Sequence, residues 1–279
     1  MATRSWIVPG PSTHDVEDVA ALRVQLVAGE VTVEGHDAGH VQVAVEEVSG
    51  NPLELTVEDG RLTIGYPFLG WDGWVKRLRS FRSTDTARLR VLVPRGTAVT
   101  VATAVADAHV SGVGEDVSLS TASGHLAVSA SRGAAALRSA SGAISVQGHD
   151  GPVRVSTAAG RTTVAGQLPR VEVTSVAGAV DVATTSSASM VDLATVSGAM
   201  HVTLPAGTGL SLTARSLSGA VRVDGADRRS AGLGATTVDD RSGADVCFLT
   251  TRSVSGALAV ERRPASPSTP GTITPEARP

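Results

Sequence analysis

The sequence predicts an all-β protein, a parallel β-solenoid (a single-stranded β-helix) with rungs of about 18 residues. Three observations support this fold class. A short motif recurs at nearly constant spacing, and apolar residues alternate with polar ones inside each copy. Apolar residues make up 42% of the chain but aromatic residues only 3%, so valine, alanine and leucine must form the core. Such a composition suits thin, closely stacked layers.

A glycine marks the centre of each repeat, which we call the pivot. The pivots are Gly124, Gly142, Gly160, Gly178, Gly198, Gly219 and Gly256, separated by 18, 18, 18, 20, 21 and 37 residues. Ala106 takes the same place one period earlier, and Gly29 and Gly60 carry the same flanking pattern at wider spacing. Valine or isoleucine lies four positions after every pivot, and an apolar residue lies seven positions before it. These two positions are predicted to form the core.

Each repeat reads as two short strands joined at a bend. The alternation of apolar residues changes phase at the pivot, so the chain must turn there, and glycine tolerates the backbone angles of a turn. A hydroxyl residue always lies three positions before the pivot, and we expect it to hold the bend by bonding to nearby backbone. These residues are Thr103, Thr121, Ser139, Thr157, Ser175, Thr195, Ser216 and Ser253.

Stacking of such coils would place equivalent valines above one another, about 4.8 Å apart. An 18-residue coil has a perimeter of about 60 Å, which suits a narrow solenoid filled by aliphatic side chains. An antiparallel β-sandwich is the alternative, because strand and turn spacing alone does not separate the two folds.

The chain divides into three predicted parts. Residues 1–88 form N-terminal β rungs with an aromatic and basic insertion at 66–86 that resembles a cap, and residues 89–260 form the regular solenoid with a loop insertion at 224–243. Residues 261–279 contain repeated prolines, which cannot pair in a sheet, and are predicted to be a disordered tail.

The insertion at 66–86 contains the candidate partner-binding residues. A cluster of basic side chains lies beside aromatic ones there, which would suit an amphipathic membrane-surface or partner-docking segment. The alternative is that the aromatic rings pack on the solenoid as a cap while the basic groups face water. The candidates are Trp71, Trp74, Lys76, Arg77, Arg79, Phe81 and Arg82.

No catalytic, cofactor or metal site is predicted. The chain has no phosphate-binding loop, dinucleotide motif, nucleophile elbow or zinc-protease helix. His36 and His40 lie in a turn without an obvious third ligand, and Cys247, the only cysteine, is predicted to be buried. We therefore expect no cofactor.

Partner and location follow from charge and hydropathy. The net charge of −3 gives no reason to expect nucleic acid as a partner. No run of apolar residues is long enough for an integral membrane segment, and the N-terminus lacks an export signal. A cytoplasmic protein is expected, with a location peripheral to the cell envelope as the alternative.

The serial Ser-Gly units and the segments Leu22–Val33 and Leu53–Ile64 resemble the bacterial putative-adhesin domain of β-strand repeats, a family of unknown function. The resemblance implies a β-helical scaffold without known catalytic residues. The expected function is a non-enzymatic binding or structural module for an unknown macromolecule, either a protein or a cell-envelope component. Two alternatives remain: a self-associating cytoplasmic scaffold resembling the bactofilins, and a carbohydrate-active β-helix enzyme.

Overall fold

The computed structural model describes residues 3–66, 85–228, 234–240 and 246–263, and these residues contain twenty-four β-strands and no helix. The N-terminal strands are β1 Arg4–Val8, β2 Ser12–Glu17, β3 Ala21–His36, β4 His40–Ser49, β5 Leu53–Glu58, β6 Arg61–Gly65, β7 Thr86–Pro94 and β8 Ala98–Ser111. The regular part contains β9 Val117–Ser123, β10 Leu126–Ser129, β11 Ala135–Ser141, β12 Ile144–Asp150, β13 Val153–Ala159, β14 Thr162–Gln167, β15 Arg170–Ala177, β16 Val180–Thr184, β17 Ser189–Ser197 and β18 Met200–Pro205. The C-terminal strands are β19 Gly209–Ser216, β20 Val221–Val223, β21 Ala226–Asp227, β22 Gly234–Asp240, β23 Val246–Ser253 and β24 Leu258–Arg263.

The regular part is a parallel β-solenoid, as predicted. Strands before the bend (β9, β11, β13, β15, β17) pair in parallel as one sheet, the first face. Strands after the bend (β10, β12, β14, β16, β18) pair in parallel as the second face. Parallel pairing between successive coils excludes the antiparallel β-sandwich for this part of the chain.

Equivalent apolar residues form continuous columns through the core. On the second face Val128 pairs with Val146, Val146 with Val164, and Val164 with Val182. On the first face Val117, Ala135, Val153, Val171 and Val191 pair in the same way. All of these side chains are at most 2% exposed, so the repeat positions chosen from the sequence do form the core.

The hydroxyl position is confirmed as a bend-holding position at five of its eight residues. Thr103 Oγ1 donates to the carbonyl of Ala106 at 3.0 Å, and Thr157 Oγ1 donates to that of Ala159 at 3.0 Å. Ser175, Ser216 and Ser253 also bond within the bend. Thr121, Ser139 and Thr195 are buried and make no such bond.

At the N-terminal end the expected rungs are partly wrong. Strands β1, β2, β4 and β5 pair antiparallel, and Gly60 is not a pivot. Asp59 and Gly60 have φ values of 50° and 72°, which makes them the two central residues of a hairpin turn between β5 and β6. Strand β3 lies between β8 on one side and β6 and β7 on the other.

At the C-terminal end the rung order differs from the sequence order. Strands β23 and β24 lie between β17–β18 and β19–β20, so the last rung in the sequence is next to last in the stack. The predicted loop at 224–243 contains β21 and β22, and β22 pairs antiparallel with β19 along its outer side. The predicted tail begins later than expected, because Glu261–Arg263 belong to β24.

Candidate interaction surface

The seven residues predicted to bind a partner lie outside the described residues. They are Trp71, Trp74, Lys76, Arg77, Arg79, Phe81 and Arg82. Their role as a docking segment or a cap therefore stays a prediction.

Tyr66 and Asp85, the described residues on either side of the range that contains this segment, are both buried. The carboxylate of Asp85 accepts hydrogen bonds from the backbone N–H of Asn51 at 3.0 Å and from its Nδ2 at 3.1 and 3.2 Å. Burial raises the pKa of Tyr66 to about 12, and the negative charge of Asp85 contributes to the shift. The described residues on both sides of this range are therefore tightly packed.

The described residues contain no group of three His, Cys, Asp or Glu side chains that could hold a metal ion. Nδ1 of His36 approaches the backbone N–H of Ala38 at 3.2 Å and Nε2 contacts the His40 carbonyl at 2.9 Å, so the pair closes a turn. Within the described ranges no helix is long and apolar enough to cross a membrane.

Two serine–histidine pairs exist in the described residues, Ser12 with His14 at 3.1 Å and Ser131 with His149, and the second is closed to substrate. Ser131 Oγ lies 2.9 Å from Nδ1 of His149, and each residue is only 1% exposed. Burial lowers the pKa of His149 below its usual value, although neighbouring backbone groups and Asp150 partly oppose this. The pair therefore stabilises the core as a neutral hydrogen-bonded unit.

Exposed apolar side chains are concentrated on one part of the first face. Eight large apolar side chains in the described ranges are exposed, and six of them lie on the adjacent strands β15, β17, β23 and β19 or at their C-terminal ends. Their exposure lies between 46% and 62%. The six are Val176, Met190, Val196, Leu217, Phe248 and Val254. Together with Arg215 and Arg252 they form what we call the apolar–arginine face.

The principal row of this face lies two positions before the pivots. Neighbouring register pairs are Ser175 with Thr195, Thr195 with Ser253, and Ser253 with Ser216. The residues that follow these four are Val176, Val196, Val254 and Leu217, which therefore stack on successive rungs. The spacing is about 4.8 Å per rung, so the row is about 14 Å long.

The two backbone carbonyls beneath the middle of this row are hydrogen-bonded. The carbonyl of Val196 accepts from the backbone N–H of Ser255 at 3.0 Å and from its Oγ at 3.4 Å. The carbonyl of Val254 accepts in the same way from Ser218, at 3.1 and 3.3 Å. A partner can therefore reach the side chains here, but a strand that it added would find these two carbonyls occupied.

Charged side chains lie beside the apolar row. Arg252 and Arg215 pair in register on β23 and β19, two positions before Val254 and Leu217. Neither side chain has an ion pair or hydrogen bond within the described residues, and the same holds for the side chain of Asp192 on β17. Glu172 on β15 is held by Arg154 through contacts of 2.6 to 3.0 Å. In this part of the chain, two cations without partners therefore lie next to an exposed apolar row.

An open groove of about 810 Å³ runs over this face. It is lined by Thr174, Ser175, Val176, Ala194, Thr195, Val196, Arg215, Ser216, Leu217, Arg252, Ser253 and Val254. A second apolar pair, Met190 and Phe248, lies further along the same strands, where the two residues pair in register.

Sequence reasoning missed this face although a signal existed. The position two before the pivot is alanine in the earlier repeats, at Ala122, Ala140 and Ala158. It changes to valine or leucine in the later repeats. Larger apolar residues at a position that the alternation directs outward would have indicated a surface patch.

Comparisons with known proteins agree with the fold. The family model described as Toastrack DUF4097 matches residues 17–255, and no protein with a curated description matches the chain. A putative adhesin from Bacteroides fragilis NCTC 9343 has 12% identity and a TM-score of 0.50, covering 90% of this chain and 97% of that one. A putative adhesin and a putative lipid binding protein, both from Parabacteroides distasonis ATCC 8503, have TM-scores of 0.43 and 0.44 at 13% and 12% identity. They cover 93% and 91% of this chain, and 97% of each of theirs is covered. At such identities the likeness concerns the fold alone.

Proposed function

The chain belongs to the Toastrack family of domains of unknown function, and from this premise we propose that it is a non-enzymatic binding module whose apolar–arginine face docks a protein partner. The family match and the structural neighbours confirm the resemblance to the bacterial putative-adhesin domain. The function proposed here goes beyond that membership and is drawn from the surface.

The observation that carries the proposal is the placement of six of eight exposed large apolar side chains on four adjacent strands of the described chain. Contiguous exposed apolar surface of this kind marks interaction sites, whereas isolated exposed residues do not. The apolar side chains project from a rigid parallel sheet, so little conformational entropy is lost when a partner binds. Arginines beside an apolar centre are typical of protein interfaces.

The proposal that the partner belongs to the cell envelope is supported only by the name of a protein with the same fold. The Bacteroides fragilis protein with the same fold is described as a putative adhesin. A partner in the cell envelope and a location peripheral to it are therefore one version of the proposal, and a cytoplasmic location with a cytoplasmic protein partner is the other. Fractionation of the producing cells, followed by immunoblotting, would distinguish them.

A binding experiment tests the role of the face. Val196→Asp with Leu217→Asp should abolish saturable cosedimentation of the pure protein with cell-envelope fragments or, for the cytoplasmic version, with cytosolic proteins. The reason is that two carboxylates would then be desolvated in the interface. Ile7→Asp is the matched control, because Ile7 is 70% exposed and lies on β1, outside the face. Equal binding by the double variant and the wild type would contradict the proposal.

A second candidate is the end-to-end scaffold resembling the bactofilins. In the described residues β1, β2 and β22 each pair with only one strand, so both ends of the stack present unpaired edges. Electron microscopy of the pure protein would show filaments if this candidate is correct. Release of reducing ends from oligosaccharides would instead support the carbohydrate-active enzyme.

A further inference from the structure

The apolar–arginine face carries charges of both signs in a fixed arrangement. Asp192 and Glu172 lie on β17 and β15, on one side of the centre of the face, and Arg252 and Arg215 lie on β23 and β19, on the other. Of these four, only Glu172 has a partner within the described residues. Arg170 on β15 is exposed too and pairs in register with Met190, so the β15–β17 half carries two carboxylates and one cation, whereas the charged residues of the β23–β19 half are both arginines. Apolar rows lie at both ends of the face along the strands.

From this arrangement we propose that the partner on the face is a second copy of this chain, related by a two-fold axis parallel to the strands. This inference rests on the proposed function, since it names the occupant of the same face. Rotation about such an axis leaves each residue at the same height along the strand but reverses the strand order. Strand β17 then lies opposite β23 of the second copy, and β15 lies opposite β19. A two-fold interface of this type closes after two copies.

The apolar residues match under this operation. Val196 lies opposite Val254 of the second copy and Val176 opposite its Leu217, so the principal row packs against itself. Met190 lies opposite Phe248, which places the second apolar pair against itself as well, with the sulfur near an aromatic ring. All six exposed apolar side chains thus become covered by apolar atoms.

The charges match too. Arg252 comes to lie over β17 of the second copy, between Ala194 and Asp192, because these residues occupy the same and the adjacent outward position. By the same operation Arg215 comes to lie beside Glu172 of the second copy. Each two-fold interface would contain both pairs twice, once for each copy. Like charges facing each other would weaken the association, so this pattern favours the proposed pairing over one that places like charges together.

Two other occupants fit the face less well. An anionic membrane surface would attract the arginines but repel Asp192 and Glu172, which lie on the same face. An added β-strand would find the carbonyls of Val196 and Val254 already bonded to Ser255 and Ser218.

The size of the face indicates a weak dimer. Four strands about 4.8 Å apart and seven residues of about 3.3 Å each give roughly 400 Å² of flat surface from each copy. Interfaces at this low end are typical of transient complexes. A dissociation constant in the micromolar range is therefore expected, measurable by sedimentation equilibrium of the full chain over a concentration series.

Charge reversal tests the pairing. Asp192→Arg and Arg252→Asp should each raise the dissociation constant of the homodimer by about tenfold or more, because each creates two like-charged contacts. A mixture of the two variants should form a heterodimer about as tight as the wild-type dimer, since every contact is then between opposite charges. The double variant should also dimerise. Circular dichroism of each variant confirms folding, which should stay intact because Asp192 is half-buried and Arg252 is exposed, and neither side chain belongs to the core.

The outcomes are distinct. A wild-type chain that stays monomeric up to about 1 mM, or two single variants whose mixture does not associate, would overturn the proposed dimer. Cosedimentation with anionic lipid vesicles without dimer formation would assign the face to a membrane and overturn it as well. If no dimer forms but Val196→Asp with Leu217→Asp still abolishes partner binding, the dimer is refuted and the binding module is supported. If that double variant also binds normally, both proposals fail.

Discussion

Replacement of Gly160 by alanine tests whether the glycine column holds the bend by close packing as well as by backbone conformation. A Cβ on Gly160 would lie 2.2 Å from the carbonyl oxygen of Gly142 on the preceding rung, and φ at Gly160 is +121°. Residues with a side chain rarely adopt such a φ, and the backbone strain costs about 1–3 kcal/mol. Forcing an extra carbon into a packed site costs about 1–3 kcal/mol more. We therefore expect Gly160→Ala to lower the free energy of unfolding by about 2–6 kcal/mol.

Two control variants separate the contributions. Gly207 has a φ of +78°, but a Cβ added there would meet no atom within 4 Å, so Gly207→Ala should cost only the backbone strain, roughly 1–2 kcal/mol. Gly39 has neither a positive φ nor a close neighbour, so Gly39→Ala should change stability by at most about 0.5 kcal/mol. Urea unfolding followed by circular dichroism gives the three values, provided that the slope of the transition is unchanged. If Gly160→Ala proved no less stable than Gly207→Ala, the close-packing argument would be wrong.

Three further predictions concern buried polar groups. Burial lowers the pKa of His149, so the unfolded chain takes up a proton near pH 6.5 while the folded chain does not. The free energy of unfolding should therefore be highest above that pH and fall below it. The urea midpoint of His149→Gln should depend less on pH than that of the wild type. Burial raises the pKa of the Cys247 thiol, which is fully buried, so maleimide should label the protein only after unfolding. Asn51→Ala removes both Nδ2 bonds to the buried Asp85 carboxylate. It should lower the free energy of unfolding in urea by about 1–3 kcal/mol. A change below about 0.5 kcal/mol would show that water replaces the amide.

The glycine column shows how far sequence reasoning reached and where it stopped. Positive φ was the expected reason for glycine at the pivot, and Gly142, Gly160 and Gly178 do have it. Gly198 and Gly256 do not, yet a Cβ on either would lie 2.1 or 2.2 Å from a carbonyl oxygen of the neighbouring rung. Periodicity reveals that a residue must be small, but only the distance between rungs reveals why.

The interaction surface was only partly accessible from sequence. The change from alanine to valine and leucine two positions before the pivot is visible when the repeats are aligned with one another. The proximity of Arg252 to Arg215 is not, because 37 residues separate them and periodicity does not give the rung order. The segment chosen instead, Trp71 to Arg82, lies outside the described residues.

The sequence alone determined the length of the rung, the two strands within it and the apolar columns, because a period-2 alternation admits one inward set of residues per strand. The tertiary structure decided the order of rungs at both ends. A parallel strand presents the same donors, acceptors and core residues to either neighbour, so β23 is compatible with a place beside β19 alone or between β17 and β19. The tertiary structure also decided that Asp59 and Gly60 form the turn of a hairpin and not the bend of a solenoid coil. Local alternation is identical in the two cases, and only pairing with β1 and β3 distinguishes them.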